Sequence, residues 1–340
     1  MPNARAAVLR SALLLFVLAC FLRFPDTVAE AALDGAGLAY TRVLPALFPF
    51  SVAASVLFAG TGRWSGKGSR FSPDGVAVLL SGWVAGFPLG ASGAARLWKD
   101  GALEQRDAER LAAASSAASP AFLVGAVGGM WGDSRYGILL VLLQWLTLGG
   151  YLLLSGRRGT RPAHAGEPKS VPSDAEPFAR LLSRSIAKAA EAALTVTASI
   201  AFFRVLAAVA ARLLPPLGPV FALLFEFSSG ARAGAAVGGV PGAAMTGIAV
   251  GFSGLSVLTQ AAAALADTPC SLRSFVFTRI LLAAVLGAGS AVYAALCPMM
   301  PSVKASTISG ASPVLGFAIL ILSLLLAKLP LPRKYFPAGT

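Results

Sequence analysis

Long apolar runs recur along the chain. Counted against about 20 residues per bilayer crossing, they predict full spans near 7–24, 44–62, 111–132, 135–155, 190–212, 244–266, 276–297 and 311–329. Runs such as "YGILLVLLQWLTLGGYLLL" (136–154) are continuously apolar and show no period-two alternation, so they predict helices and exclude a β-barrel. Two further apolar stretches, 75–98 and 216–243, are interrupted midway. The first reads "SGWVAGFPLGASGAARLWKDG" (81–101), where an apolar start meets Gly86, Pro88, Gly90 and Gly93 and then Arg96 and Lys99. At 1.5 Å per residue its apolar part covers roughly half a bilayer, which predicts a re-entrant hairpin. Segment 30–43, "EAALDGAGLAYTRV", is of mixed polarity and is expected at an interface. Residues 156–177 are polar and rich in Pro and Gly, and they divide the chain in two.

Composition narrows the class. Hydrophobic residues make up 56% of 340 and charged residues 13%, with mean hydropathy +0.74, which excludes an ordinary soluble domain. The expected fold is an all-α polytopic membrane protein. A net charge of +13 is explained by topology before nucleic acid is invoked. With the N-terminus cytoplasmic and both interrupted stretches drawn as hairpins, the cytoplasmic segments are 1–10, 63–74, 96–110, 156–189, 267–279 and 328–340. Of the 28 Lys and Arg, seven fall outside them: Arg23, Arg42, Arg135, Arg204, Arg212, Arg232 and Lys304. A full crossing at either stretch would move every later loop to the other side and destroy this bias.

Three predicted crossings, 111–132, 135–155 and 190–212, separate the hairpins, so the second opens toward the opposite face. This is an inverted repeat with two re-entrant hairpins, two broken helices and about eight full spans, the organisation of secondary transporters. The letters agree: "GFPLGA" (86–91) and "EFSSGA" (226–231) share Phe, Gly and Ala in register. Each precedes a span broken midway, "AASSAASPAFLVGAVG" (113–128) and "AVGFSGLSVLTQ" (249–260). The implied organisation is 1–74, N-terminal spans and an interfacial helix; 75–155, a first repeat; 156–189, a cytoplasmic linker; 190–297, a second repeat; and 298–340, a C-terminal span and basic tail.

Broken helices expose N–H and C=O ends at depth, which must face protein or a polar cavity; N-terminal ends favour anions and C-terminal ends cations. The candidate binding residues are therefore Gly86, Phe87, Pro88, Gly90 and Ser92 at the first tip, and Ser116, Ser119 and Pro120 at the first break. At the second tip they are Glu226, Ser228, Ser229, Gly230 and Arg232, and at the second break Ser253, Gly254 and Gln260, with Arg204 in mid-span. Small residues also serve helix packing, as the Gly125 to Gly129 spacing illustrates. Charge at depth admits two readings. Arg204 and Glu226 form a structural ion pair, or one arginine is left to hold an anionic substrate while Glu226 orients it or takes a coupling proton.

Enzymatic chemistry has no support: no nucleophile, base and orienting group stand at usable spacing, and there is no phosphate loop. Cys20, Cys270 and Cys297 lack paired spacing, and the single histidine, His164, lies in a polar loop, so neither a metal nor a cofactor is expected. The N-terminal "ARAAVLRSALLLFVLAC" (4–20) is read as a first membrane helix and not as a cleaved signal.

At "GFPLGA", "AERLAAASSAASPAFLVGAVG" (108–128), "FEFSSGA" (225–231) and "GFSGLSVLTQ" (251–260) the chain resembles the YlbJ-like sporulation integral membrane proteins. These carry paired nucleoside-recognition, or gate, domains and are distantly similar to concentrative nucleoside transporters. The chain departs from the family in "SSAASP" (115–120), where asparagine is common. The resemblance implies two hairpins and two broken helices at 86–92, 115–122, 226–232 and 251–260. It implies movement of dipicolinic acid from the mother cell toward the forespore, across the mother-cell-derived outer forespore membrane. The expected protein is a multi-pass bacterial membrane transporter of a small planar anion, with both termini cytoplasmic. Its expected partners are lipid, a coupling proton or sodium ion and, as an open possibility, further copies of itself, without nucleic acid. A nucleoside or other small-metabolite carrier is the alternative and would present neutral hydrogen-bonding groups and no free arginine. A non-transporting scaffold for sporulation or envelope assembly is the third reading and would have continuous helices through 86–92 and 251–256.

Overall fold

The structure is a computed structural model that describes residues 4–58, 72–155, 177–299 and 301. The expected span at 311–329, the basic tail, most of the 156–177 linker and part of the 63–74 loop lie outside the described residues. The described chain is helical throughout, with no strand among the described residues. Helices α1 (Ala4–Arg23) and α2 (Pro25–Leu38) meet at a sharp bend of 96°. Pro25 opens α2, where its missing N–H costs nothing. A π-helical turn, Ala39–Val43, leads into α3 (Leu44–Phe58). The stretch expected at an interface is thus a helix packed on α9 (Phe178–Leu213), with Gly35 against the backbone of Ala201.

The first interrupted stretch forms two helices, α4 (Pro73–Ala85) and α5 (Leu89–Lys99). The Ser72 hydroxyl caps α4 by accepting from the Gly75 N–H at 3.0 Å, with Pro73 and Asp74 completing the start. Gly86 ends α4 at φ +88°, a conformation open to glycine, and the Phe87–Pro88 bond is cis. The two helices run antiparallel: a Cβ on Gly82 would lie 3.0 Å from the Gly90 Cα, and one on Gly93 2.8 Å from Val78. Helix α6 (Gln105–Ser115) turns back along α5 and stops. Residues 116–119 are non-helical, and after Pro120 a π-helical stretch, Phe122–Val127, continues into α7 (Gly128–Trp131) and, past a left-handed Gly132, α8 (Ser134–Ser155).

The second half repeats this order. Helices α10 (Gly218–Phe225) and α11 (Phe227–Val237) break at Glu226, and Gly230 folds back onto Leu223. Helix α12 (Gly239–Phe252) runs back along α11, is interrupted at Ser253 (φ +68°), and resumes as α13 (Gly254–Leu265) before α14 (Arg273–Leu296).

Three expectations change. Residues 178–189, read as part of the linker, are the first turns of the 36-residue α9, because Arg180, Arg184 and Lys188 lie on a continuous helical pattern. Helix α12 starts at Gly239, five residues before the expected 244, because positive φ at Gly238 and Gly239 makes the turn there. Among the described residues, by length and apolar composition four helical segments can cross a membrane: 134–155, 178–213, 239–265 and 273–296. Counting α1 and α2 as one bent span gives five. The other apolar helices among the described residues, including α4 and 215–225, are shorter than a crossing, as half-helices must be.

Candidate functional site

Both tips lie against the break that follows them. A Cβ on Gly86 would sit 3.1 Å from the Ser119 nitrogen, and one on Gly254, itself at φ +75°, would sit 3.1 Å from the Glu226 Cα. Between the two units lies a cavity lined by Ala85, Gly86 and Phe87 of the first tip and Ala118, Ser119 and Phe122 of the first break. Phe227 of the second tip, Ser256, Val257 and Gln260 of α13, Val43, Leu47, Val196 and Ile200 complete it. Three aromatic rings close one wall, Phe227 standing edge-on to Phe87 at 6.1 Å and to Phe122 at 5.1 Å between centroids. The polar groups of the lining are neutral, and the Oε1 of buried Gln260 has no hydrogen-bond partner.

The first break is satisfied from a distance. The Ser115 and Ser116 hydroxyls donate back to Leu111 and Ala112 carbonyls at 2.6 and 2.7 Å. Gln144, reaching over from α8, accepts from the Ala118 N–H and donates to the Ala118 carbonyl, both at 2.9 Å. One amide thereby pairs both backbone groups of an unwound residue, as burial requires. Ser119 Oγ accepts from the Phe122 N–H at 3.3 Å as the helix resumes, and Pro120 takes the first helical position.

The Ala114 carbonyl accepts from Trp83 Nε1 at 2.8 Å, and two further carbonyls at this break meet Arg279 of α14, which is 2% exposed. Its Nη2 donates to the Ser116 carbonyl at 2.7 Å and to that of Ala113 at 3.4 Å, and its Nη1 donates to Ser253 Oγ at 3.3 Å. Its guanidinium carbon stands 5.6 Å from the Phe87 ring centroid and 5.0 Å from that of Phe275. Arg279 has no carboxylate partner among the described residues. The sequence counts Arg279 at the end of the cytoplasmic segment 267–279; α14 begins at Arg273, which puts residue 279 inside a helix with its side chain buried.

The second tip is capped locally. Glu226 is fully buried and caps α11: its carboxylate accepts from the Ser228 and Ser229 N–H groups at 3.0 and 2.8 Å and from the Ser229 hydroxyl at 2.9 Å, and the Ser228 hydroxyl also donates to it. An anion at a helix N-terminus, fed by several donors, is well placed. The direct Arg204–Glu226 ion pair considered from the sequence is replaced by another arrangement. Arg204 pairs with Asp34 of α2 and donates through Nη1 to Ser229 Oγ at 2.8 Å, so Ser229 stands between arginine and glutamate. Arg232 reaches the same Asp34 at 3.2 Å. Asp34 thus answers both arginines proposed to hold an anion.

Of the other candidates, Gly90 lies against the Ser115 carbonyl and hydroxyl, and Gly230 lies 2.8 Å, measured from a built Cβ, from Leu223 and Ala249. Pro88 precedes α5. Ser92 is exposed on α5 and is not part of the cavity lining. A Cβ at Gly125 or Gly129 would meet nothing within 4 Å among the described residues. Sequence reasoning missed Asp34, Gln144 and Arg279. Of these, Gln144 was visible as a polar residue inside an otherwise apolar run, a recognised mark of a partnered group in membranes.

The chain is similar to the sporulation integral membrane protein YlbJ of Bacillus subtilis (strain 168), at 25% identity over 339 aligned residues that cover 84% of this chain and 80% of that protein. This distant likeness supports the YlbJ-like family. No protein-family model matches the chain, and no solved structure matches it.

Proposed function

We propose that this integral membrane protein is a secondary transporter in which two inverted hairpin-and-break units carry a small planar anion, dipicolinate being the leading substrate. In this reading the half-helices complete an eight-span membrane protein with both termini cytoplasmic. The observation that carries it is the meeting of both tips, the first break and helix α13, which follows the second break, around one aromatic-walled cavity, beside an arginine with no carboxylate partner among the described residues. Irregular backbone at membrane depth is tolerated where it lines a cavity, and carriers place their substrate there. Asp34 and Glu226 leave one charge of Arg204, Arg232 and Arg279 uncompensated. A buried cation without a counter-charge is costly, and an anion entering beside Phe87 relieves that cost. The helices are interrupted at 86–88 and at 253, breaks that a scaffold does not need.

A neutral substrate such as a nucleoside is the second reading. It is favoured by one observation: Ser119, Ser256 and Gln260 supply the polar lining of the cavity, and no arginine does. Flux into vesicles containing the purified protein decides between them. The anion reading expects labelled dipicolinate to enter faster than into empty vesicles and to be displaced by unlabelled dipicolinate, with a nucleoside inert. Flux of nucleoside alone would establish the second reading. Folded protein that moves neither would remove both substrates.

A further inference from the structure

Helix α6 ends inside the protein, and its terminal carbonyls gather around a cation that is part of the chain. The carbonyls of Ala113 and Ser116 and the hydroxyl of Ser253 all face the two Nη atoms of Arg279 at 2.7 to 3.4 Å. Two rings flank the guanidinium, its Nε has no partner, and its protein partners are neutral oxygens and π faces. The charge is therefore held by the negative end of the α6 dipole, by unwound backbone and by the ring quadrupoles. Carriers with discontinuous helices use such half-helix C-termini and unwound carbonyls to coordinate the Na⁺ that couples transport. Here three oxygens from both breaks are already committed to a guanidinium, which is permanently charged and covalently tethered.

We propose that Arg279 is a resident cation in the place of an inorganic coupling cation, so that this break neither needs nor binds Na⁺. Removing the side chain opens a monovalent-cation site between the Ala113 and Ser116 carbonyls and the Ser253 hydroxyl. The consequence for flux rests on the transport reading above, whereas cation binding does not.

Melting of the purified full chain in detergent tests this without substrate, in NaCl, KCl and choline chloride at matched ionic strength. Wild type is expected to melt at one temperature in all three salts. Arg279→Ala is expected to melt lower in choline and to recover by about 3 °C as NaCl replaces choline from roughly 1 to 100 mM. Arg279→Met, which fills the space without charge, is expected to show no recovery, and Arg279→Lys to remain indifferent to the salt. A wild type stabilised by Na⁺ over choline would overturn the proposal, as would Arg279→Ala equally unstable in every salt or Arg279→Met recovering like Arg279→Ala. If Arg279→Ala does not fold, Arg279→Ser, whose short side chain leaves the same space open, is measured beside wild type. Na⁺-dependent melting of the variant alone upholds the proposal, and salt-indifferent melting of both overturns it. Absence of dipicolinate flux bears on the transport reading only.

Discussion

The first break and the second tip meet the same physical problem with opposite charges and by different routes. At the second, the exposed N-terminus of α11 is capped from within by Glu226, whose donors lie two and three residues along the chain. At the first, the exposed C-terminus of α6 is met by Arg279, more than 160 residues away, while Gln144 of α8 pairs the unwound Ala118. The signs follow the helix dipole, an anion at an N-terminus and a cation at a C-terminus. The second tip is therefore capped within its own segment, with Arg204 of α9 adding a donor to Ser229, and the first break depends on α8 and α14 being docked. Arg279 also touches Ser253, so the two units share one group.

The largest expected effects come from filling the tips. A Cβ on Gly90 falls on the carbonyl and hydroxyl of Ser115, and one on Gly230 lies 2.8 Å from the Leu223 Cα and the Ala249 Cβ. Gly90→Ala is expected to cost about 3 kcal/mol and Gly230→Ala somewhat less, with leucine at either abolishing flux. Thermal melting and vesicle flux check this; equal melting of Gly90→Ala and wild type would remove the close approach.

Gln144→Leu and Glu226→Gln sharpen the local-against-remote contrast. The first strands both backbone groups of Ala118 and is expected to cost about 2–3 kcal/mol; the second weakens charge-assisted bonds to Ser228 and Ser229 and is expected to cost about 1–3 kcal/mol. Hydrogen exchange reads the difference. Gln144→Leu should speed exchange at 116–122 and leave 226–231 unchanged, and Glu226→Gln should do the reverse.

Smaller effects are expected at Asp34, which is about half exposed. In double-mutant cycles its coupling to Arg204, whose side chain is 13% exposed, should exceed its coupling to Arg232 at 45%. Values of about 1 and below 0.5 kcal/mol are expected. Equal couplings would show that Asp34 does not favour the more buried arginine. The smallest effect belongs to Gly125→Ala, where the new methyl meets nothing within 4 Å. Its melting should stay within about 0.5 kcal/mol of wild type.

The places where helices stop were legible in the letters. Gly86 with Pro88, and Ser253 with Gly254, interrupt apolar runs, and the structure breaks the helices at those positions. Helices α1, α8 and α14 also fall within a few residues of the expected runs. The Glu226 cap was half legible, because the two serines that follow it are the local donors a cap requires. The answering groups were not. Asp34 sits in a stretch of mixed polarity, Gln144 inside a run that reads as continuously apolar, and Arg279 at the edge of a span, where the charge count places it in the cytoplasmic segment 267–279. The charge count that left an arginine free at the second tip lacked Asp34, and the surplus moved to Arg279.

Sequence by itself determined an all-helical membrane protein, the residues at which its helices break, and the need for polar company at each break. These follow from local quantities: the length of an apolar run, the torsion freedom of glycine and proline, and the dipole of a helix end. Tertiary structure alone decided which side chain supplies that company. A desolvated carbonyl or guanidinium takes any complementary group that packing brings within about 3 Å, and separation along the chain places no limit on which one that is. Arg279 meets Ser116 only because α14 packs beside α6, a contact that no spacing in the sequence encodes.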